Sequence, residues 1–269
     1  MEKEFETICM AVCSIARRAG AYIASERKTF TSDKVEFKGE QNLVSYVDRA
    51  AEKMIIDELR ALIPSSEIIA EESAAAATGF GADDNHYTWI IDPLDGTTNF
   101  THGLPPYAVS IALARGSRLV VGVIYEITCA ECFYAWRGGA CYLNGQRVSV
   151  SDLSSIDRSM VVTGLAYKTD DTIEAFARSF NYFNLHSNGA RRIGSAATDL
   201  AYVASGRAEC FYQKNLAPWD VAAGALLVEM AGGVVSDYSG ADDYVFGGQI
   251  IATNKQASVV FRNKLAELL

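Results

Sequence analysis

Apolar residues open the chain at helical spacing: Phe5, Ile8, Val12, Ile15, Ala19 and Ile23. Steps of three and four put them on one face, which predicts an amphipathic helix over residues 4–26. Val47, Ala51, Met54, Ile55, Leu59 and Leu62 repeat the pattern and predict a second helix from Val44 to Leu62, stopped by Pro64. Between them Thr29 to Gln41 is polar and charged, carries Lys34, Lys38, Gly39 and Glu40, and reads as a mobile loop. Ile68-Ile69-Ala70 is a short strand that ends at Glu71-Glu72-Ser73, and the small, acidic stretch Ala74 to Asn85 reads as a surface loop.

From Tyr87 the pattern becomes that of strands. Tyr87–Ile91, Tyr107–Arg115, Arg118–Tyr125 and Glu131–Trp136 are rich in Val, Ile and aromatics, and Gly116-Ser117 and Asn144-Gly145 signal tight turns. This is an antiparallel meander rather than a repeating βαβ series. After a polar stretch, Ser149–Asp157, the chain predicts strands at Met160–Gly164, Ala208–Tyr212, Val234–Asp237 and Ile250–Ala252. Helices are predicted at Thr172–Tyr182, Ser195–Ala204 and Trp219–Ala231, the last closed by Gly232-Gly233, with a final helix from Gln256. Blocks of strands and helices suggest layered sheets with helices between them, in a mixed α/β (α+β) fold. The polar stretch divides an N-terminal lobe, residues 1–150, from a C-terminal lobe, residues 151–269.

The 269 residues are 49% apolar, enough for a large core. A net charge of -9 makes the chain a poor non-specific binder of nucleic acid or anionic membrane. Neither a basic-then-apolar leader nor a run of about 18 apolar residues is present, so a cytoplasmic protein is expected. Cys129-Ala130-Glu131-Cys132 has zinc or redox spacing, but no second pair follows and no histidine is near. Reduced, structural thiols are expected at all six cysteines.

The chemistry concentrates in Trp89-Ile90-Ile91-Asp92-Pro93-Leu94-Asp95-Gly96-Thr97-Thr98-Asn99-Phe100. A buried apolar run ends in two carboxylates, a glycine and two hydroxyls. Placing Asp92 and Asp95 there is costly without positive charge, and a hard divalent cation takes oxygen ligands. Gly96-Thr97-Thr98 offers backbone N–H groups and hydroxyls that suit a phosphate. Glu71 and Asp220 also stand at element ends, Glu72 reads as a solvated neighbour of Glu71, Asp48 lies inside the second helix, and Asp199 reads as structural.

These residues resemble the inositol monophosphatase family of magnesium-dependent phosphatases. The likeness rests on Trp89–Phe100, on Pro218-Trp219-Asp220-Val221-Ala222-Ala223-Gly224 running to Glu229-Met230-Ala231-Gly232-Gly233, and on Ala70-Glu71-Glu72-Ser73. It implies a two-lobed, five-layered αβαβα sandwich with the site between the lobes. Glu71, Asp92, the Leu94 carbonyl, Asp95 and Asp220 would bind two or three Mg²⁺, with Asp92 bridging two. Thr97 and Asp48 would orient and deprotonate the attacking water, with Glu71 beside them in the catalytic set. Gly96 and Thr97 N–H groups would hold the phosphate. Gly194, Ser195, Ala196 and Gln213, with Asp95 and Asp220, would meet the substrate. The resemblance further implies a homodimer, lithium inhibition, and a loop bearing Lys38 and Glu40 that closes over the metals.

Within that family the segment Asp95–Phe100 favours inositol or sugar phosphates, because Thr98 stands where nucleotide-bisphosphate relatives have Lys and histidinol-phosphate relatives have Arg. The expected substrate is a small phosphorylated polyol, myo-inositol 1-phosphate first. Gln213 weakens this, since inositol-binding relatives carry Glu there; fructose 1,6-bisphosphate is the alternative, with Lys168, Arg191, Arg192 and Lys214 as candidate cations for its second phosphate. A haloacid-dehalogenase-type nucleophile is disfavoured, because Pro93 and Leu94 separate the aspartates by one residue too many. The alternative of another class is a transcription-complex interaction protein with secondary phosphatase activity, as for some bacterial members of the family.

Overall fold

The computed structural model describes residues 2–31, 35–37, 43–73, 79–80, 86–165 and 172–269. Helix α1 (Glu2–Arg27) is followed by strands β1 (Val35–Phe37) and β2 (Leu43–Ser45), then α2 (Tyr46–Leu62) and β3 (Glu67–Ala70). Next come β4 (Tyr87–Asp95), the short α3 (Thr97–His102), β5 (Ala108–Arg115), β6 (Arg118–Glu126), β7 (Glu131–Trp136), β8 (Cys141–Leu143) and β9 (Gln146–Val148). The remainder runs β10 (Val161–Thr163), α4 (Thr172–His186), β11 (Ala190–Arg191), α5 (Ala196–Ala204), β12 (Cys210–Lys214), α6 (Pro218–Met230), β13 (Val234–Ser236), β14 (Gln249–Thr253) and α7 (Ser258–Leu268).

Strands β3 to β9 form a seven-stranded sheet in sequence order, antiparallel throughout except for the parallel β3–β4 pair. A second sheet of five strands has the order β11-β10-β12-β14-β13. Alternation along each strand assigns residues to layers. On β4 and β5, Trp89, Ile91, Val109, Ile111 and Leu113 face α1 and α2. Ile90, Ala108, Ala112 and Ala114 face the opposite way, into a core shared with α5, α6, Phe211 and Ile250. Cys210, Tyr212 and Ile251 leave the five-stranded sheet on its outer side and pack with Phe183 of α4 and Phe261 of α7. The five layers are therefore helix pair, sheet, helix pair, sheet, helix pair.

Helix α6 lies in the middle layer and is apolar all round from Val221 to Val228, as burial between two sheets demands. Small residues let it approach. A Cβ at Gly122 of β6 would lie 2.7 Å from the Ala223 carbonyl oxygen, and one at Gly224 would strike Leu200 of α5. At its C-terminus Gly232 takes φ +89°; its N–H bonds to Glu229 O and that of Gly233 to Val228 O, the left-handed glycine cap the sequence signals.

Two expectations are corrected. Residues 35–37 and 43–45 form an antiparallel hairpin within the stretch read as loop and helix start. Lys34, Lys38, Gly39 and Glu40 lie outside the described residues, as do most of 74–85. Strand β4 continues past Ile91 to Asp95, because the carboxylates belong to the sheet rather than to a loop after it. Among the described residues no helix is long and apolar enough to cross a membrane.

Candidate active site

Side chains three apart on a regular strand point to opposite faces. Asp92 and Asp95 escape this by an irregularity in β4. Asp92 pairs with Ser110 and Asp95 with Ala108, so three steps on β4 oppose two on β5. The extra residue is a bulge. Pro93 suits it, because it has no N–H to give the ladder. Asp92 Oδ1 accepts the Leu94 N–H at 2.9 Å and helps shape the turn. The two carboxylates thus end on one side.

Asp220 joins them from the start of α6. Pro218 occupies the first turn, where its missing N–H costs nothing, and Asp220 Oδ2 caps the helix by accepting the Ala217 N–H at 2.7 Å. Ser110, opposite Asp92, donates its hydroxyl to the Trp219 carbonyl at 3.2 Å and ties α6 to β5 at this point. Ligand oxygens of Asp92, Asp95 and Asp220 lie within 4.8 Å of one another, the one such triad among the described residues.

Three acids this close, Asp92 and Asp95 buried and Asp220 half-buried, are unstable as bare anions. Burial pushes Asp92 well above the usual carboxylate range, and the charges of Glu71, Asp95 and Asp220 add to it. Burial raises Asp95 to about 6, against the pull of the Ser195 hydroxyl and the Ala197, Ala196 and Gly96 N–H groups. Burial and the Asp95 charge raise Asp220 to about 7. A donor set of hard oxygens with this much unmet negative charge fits a divalent cation. Glu71 stands outside the triad, half-buried at the end of β3, and lines the same cavity. Glu72 is half-buried rather than solvated; its N–H donates to Glu52 Oε2 at 2.7 Å.

Beside the triad, Thr97 Oγ1 lies 3.1 Å from Asp48 Oδ1 and 3.1 Å from Leu94 O. Asp48 sits inside α2, in its first turn. Its Oδ2 accepts the Ser45 N–H and hydroxyl, while Ser45 Oγ accepts the Val47 N–H. Burial raises the Asp48 pKa, with the Ser45 and Thr97 hydrogen bonds opposing. Gly96 adopts φ +89° between the strand and α3; a Cβ there would press on the Pro106 and Gly194 carbonyls.

From the other sheet, the turn Ile193-Gly194-Ser195 and the start of α5 approach the carboxylates. Ser195 Oγ donates to Asp95 Oδ2 at 2.5 Å, and the Ala197 N–H reaches the same oxygen at 2.8 Å. A cavity of about 600 Å³ opens between the sheets. Glu71, Asp92, Asp95 and Asp220 line one part of it; Gly194, Ser195, Ala196, Arg192 and Gln213 line the rest.

The sequence model of the inositol monophosphatase family matches residues 4–268. The chain belongs to this family. It is 41% identical over 239 residues to the Nus factor SuhB of Escherichia coli K12, covering 89% of this chain and 88% of that one. An inositol-1-monophosphatase of Mesorhizobium japonicum is 38% identical over 240 residues, 89% of each chain. The crystal structure of extragenic suppressor protein suhB from Bartonella henselae superposes with a TM-score of 0.87 at 36% identity, over 97% of this chain and 98% of that one. Membership of the inositol monophosphatase family supports a phosphatase.

The inositol monophosphatase fold thus gathers Thr97, Asp48, Glu71, Asp92, Leu94, Asp95, Gly96, Asp220, Gly194, Ser195, Ala196 and Gln213 at or beside one cavity. Ser195 is already committed to Asp95 and Thr198. Gln213 lies across Gly164, where a Cβ would meet its Oε1 at 1.8 Å. Of the candidate cations, Arg192 lines the cavity. Arg191 donates to Ala190 O, Lys214 Nζ stands 5.1 Å from the Tyr238 ring centroid beside a small adjoining cavity, and Lys168 lies outside the described residues. All six cysteines are free; Cys132 is buried and Cys129 exposed, so the C-x-x-C spacing forms no pair.

Asp199, read from the sequence as structural, stands at the site. It lines the cavity, is 1% exposed, and its Oδ1 has no partner among the described residues. Burial and the Asp95 charge raise its pKa well above normal. Spacing was the available signal: Asp199 follows Ser195 by four and Ala196 by three, so all three share a helix face.

Proposed function

We propose that the protein hydrolyses a small phosphate monoester with Mg²⁺, myo-inositol 1-phosphate first, releasing inositol and phosphate. The observation that carries this is the close-set Asp92–Asp95–Asp220 triad with the Thr97–Asp48 pair at its side. Glu71, Asp92, the Leu94 carbonyl, Asp95 and Asp220 would hold two or three such ions. When bound, Mg²⁺ supplies neutralising charge to the phosphoryl oxygens and the leaving oxygen and lowers the pKa of water.

This chain's own residues do the positioning. Gly96 and Thr97 N–H groups hold phosphate oxygens. Thr97 Oγ1 accepts a hydrogen bond from the attacking water while its own hydrogen is directed to Asp48 Oδ1, which burial makes a stronger base. Gly194, Ala196 and the Gln213 amide meet hydroxyls of the alcohol. No covalent enzyme intermediate forms. Phosphate monoester hydrolysis is among the slowest uncatalysed reactions, so charge and alignment supply most of the acceleration.

The test is a phosphate-release screen with and without Mg²⁺ over inositol phosphates, fructose 1,6-bisphosphate and adenosine 3′,5′-bisphosphate. Inositol 1-phosphate turnover that needs Mg²⁺ and falls with Li⁺ is expected; preference for the nucleotide rejects the substrate class. Preference for fructose bisphosphate would put weight on Arg192 in the cavity wall. A homodimer is part of this proposal, and sedimentation equilibrium tests it.

A second reading is favoured by the relatives named Nus factor SuhB. In it the chain works chiefly as a partner in a transcription complex. Asp95→Asn separates the two: loss of phosphatase activity with every cellular phenotype intact selects the interaction protein.

A further inference from the structure

Asn99 sits on α3 just beyond the phosphate-holding segment, yet it touches neither the carboxylate triad nor the Thr97–Asp48 pair. Its side-chain amide donates both hydrogens. One goes to the Pro106 carbonyl at 2.8 Å, the other to the Ile193 carbonyl at 2.9 Å. An amide NH₂ can serve two carbonyls this way, whereas the isosteric carboxylate has no hydrogen to give. Gly194, at φ +96°, lies directly against this amide; a Cβ there would come within 3.0 Å of its nitrogen and oxygen.

The Ile193–Ala197 turn is therefore held twice by one short stretch of chain. Asp95 takes the Ser195 hydroxyl and the Ala197 N–H. Asn99 takes the Ile193 carbonyl at the turn's other end. Asp95 and Asn99 flank Gly96 and Thr97, and the Gly194 carbonyl lies where a Gly96 side chain would begin, 3.2 Å from its Cβ position.

We infer that Asn99 is a positioning residue that fixes the 193–197 turn against the 95–97 segment, and so sets where the alcohol half of the ester lies relative to its phosphate. This rests on the phosphatase reading above. The effect is confined to substrates whose alcohol reaches the turn. 4-Nitrophenyl phosphate offers no hydroxyls to it and serves as the control.

The experiment compares wild type, Asn99→Ala and Asn99→Asp in the full chain. With myo-inositol 1-phosphate, kcat/KM falls about tenfold or more in both variants, because loss of alignment is expensive. With 4-nitrophenyl phosphate it changes by less than about twofold. Amide hydrogen exchange of the 193–198 segment speeds up in both, while β4 to β7 stay protected. An equal loss on the two esters overturns the inference, since that is what a general structural defect gives. Wild-type behaviour of Asn99→Asp overturns it as well, because that side chain keeps the shape and lacks both donors. If wild type turns over neither ester, the phosphatase reading fails, and exchange alone decides whether the clamp exists.

Discussion

Thr97 Oγ1 stands equidistant, at 3.1 Å, from Asp48 Oδ1 and the Leu94 carbonyl. The hydroxyl has one hydrogen and two acceptors. If the Leu94 oxygen serves as a metal ligand, the hydrogen is left to Asp48, and a Thr97 lone pair turns to the water. Thr97→Ala is expected to lower kcat by about 10²–10⁴-fold with KM within a few-fold, while Thr97→Ser keeps most activity. Asp48→Asn should show the same kcat loss and also cost about 1 kcal/mol of stability, because Asp48 caps α2. Steady-state kinetics and urea unfolding check both parts.

The carboxylates make metal-free stability depend on pH with a definite sign. Asp95 and Asp220 ionise at about 6 and about 7 when folded, and from an ordinary value of 3.8 when unfolded. Between these values the folded chain binds more protons, so stability is full near pH 4 and falls as pH rises to about 7. Each such group contributes a slope of up to about 1.4 kcal/mol per pH unit. Asp92 and Asp199, raised by burial, act in the same direction. The melting temperature in EDTA should drop from pH 5 to pH 8, and Mg²⁺ should remove most of the drop. A melting temperature that climbs over this range refutes the assignment.

Gln213 offers a neutral amide where a carboxylate would grip hydroxyls more strongly. Gln213→Glu converts neutral hydrogen bonds to charge-assisted ones, a gain of about 1 kcal/mol. KM for myo-inositol 1-phosphate should fall about fivefold, by that energy, and KM for fructose 1,6-bisphosphate should rise by charge repulsion. Parallel shifts on the two substrates would place Gln213 away from the alcohol.

Gly122 tests the packing between the layers. A methyl group there would meet the Ala223 carbonyl oxygen at 2.7 Å and the Ala223 Cα at 3.3 Å, both backbone atoms of a buried helix. Gly122→Ala is expected to cost about 1–3 kcal/mol in urea unfolding by overpacking. Because α6 carries Asp220, the same variant should weaken Mg²⁺ binding, measured by calorimetry.

Much of the fold is legible along the chain. Helical periodicity predicts α1 within two residues at each end, and Pro218 and Gly232 bracket α6. Strand composition predicts β4 to β7 because each is buried on at least one face. The hairpin of β1 and β2 escapes, since three-residue strands in a charged stretch carry too little apolar signal. Asp199 escapes for another reason. Its sequence context is that of a helix interior, and only the opposing start of α6 turns that face into a cavity wall.

The sequence by itself determined the elements and the chemical types available: acids at element ends, a glycine where φ must be positive, hydroxyls beside them. Those choices obey short-range rules, periodicity and turn sterics, that act over a few residues. Only the tertiary structure decided which acids share a site. A one-residue bulge turned Asp92 and Asp95 to one side, and burial of α6 between two sheets carried Asp220 to within 4.8 Å of them. Asp92 and Asp220 stand far apart along the chain, and nothing local relates them. Their convergence follows from packing, and so does the electrostatic stress that calls for a cation.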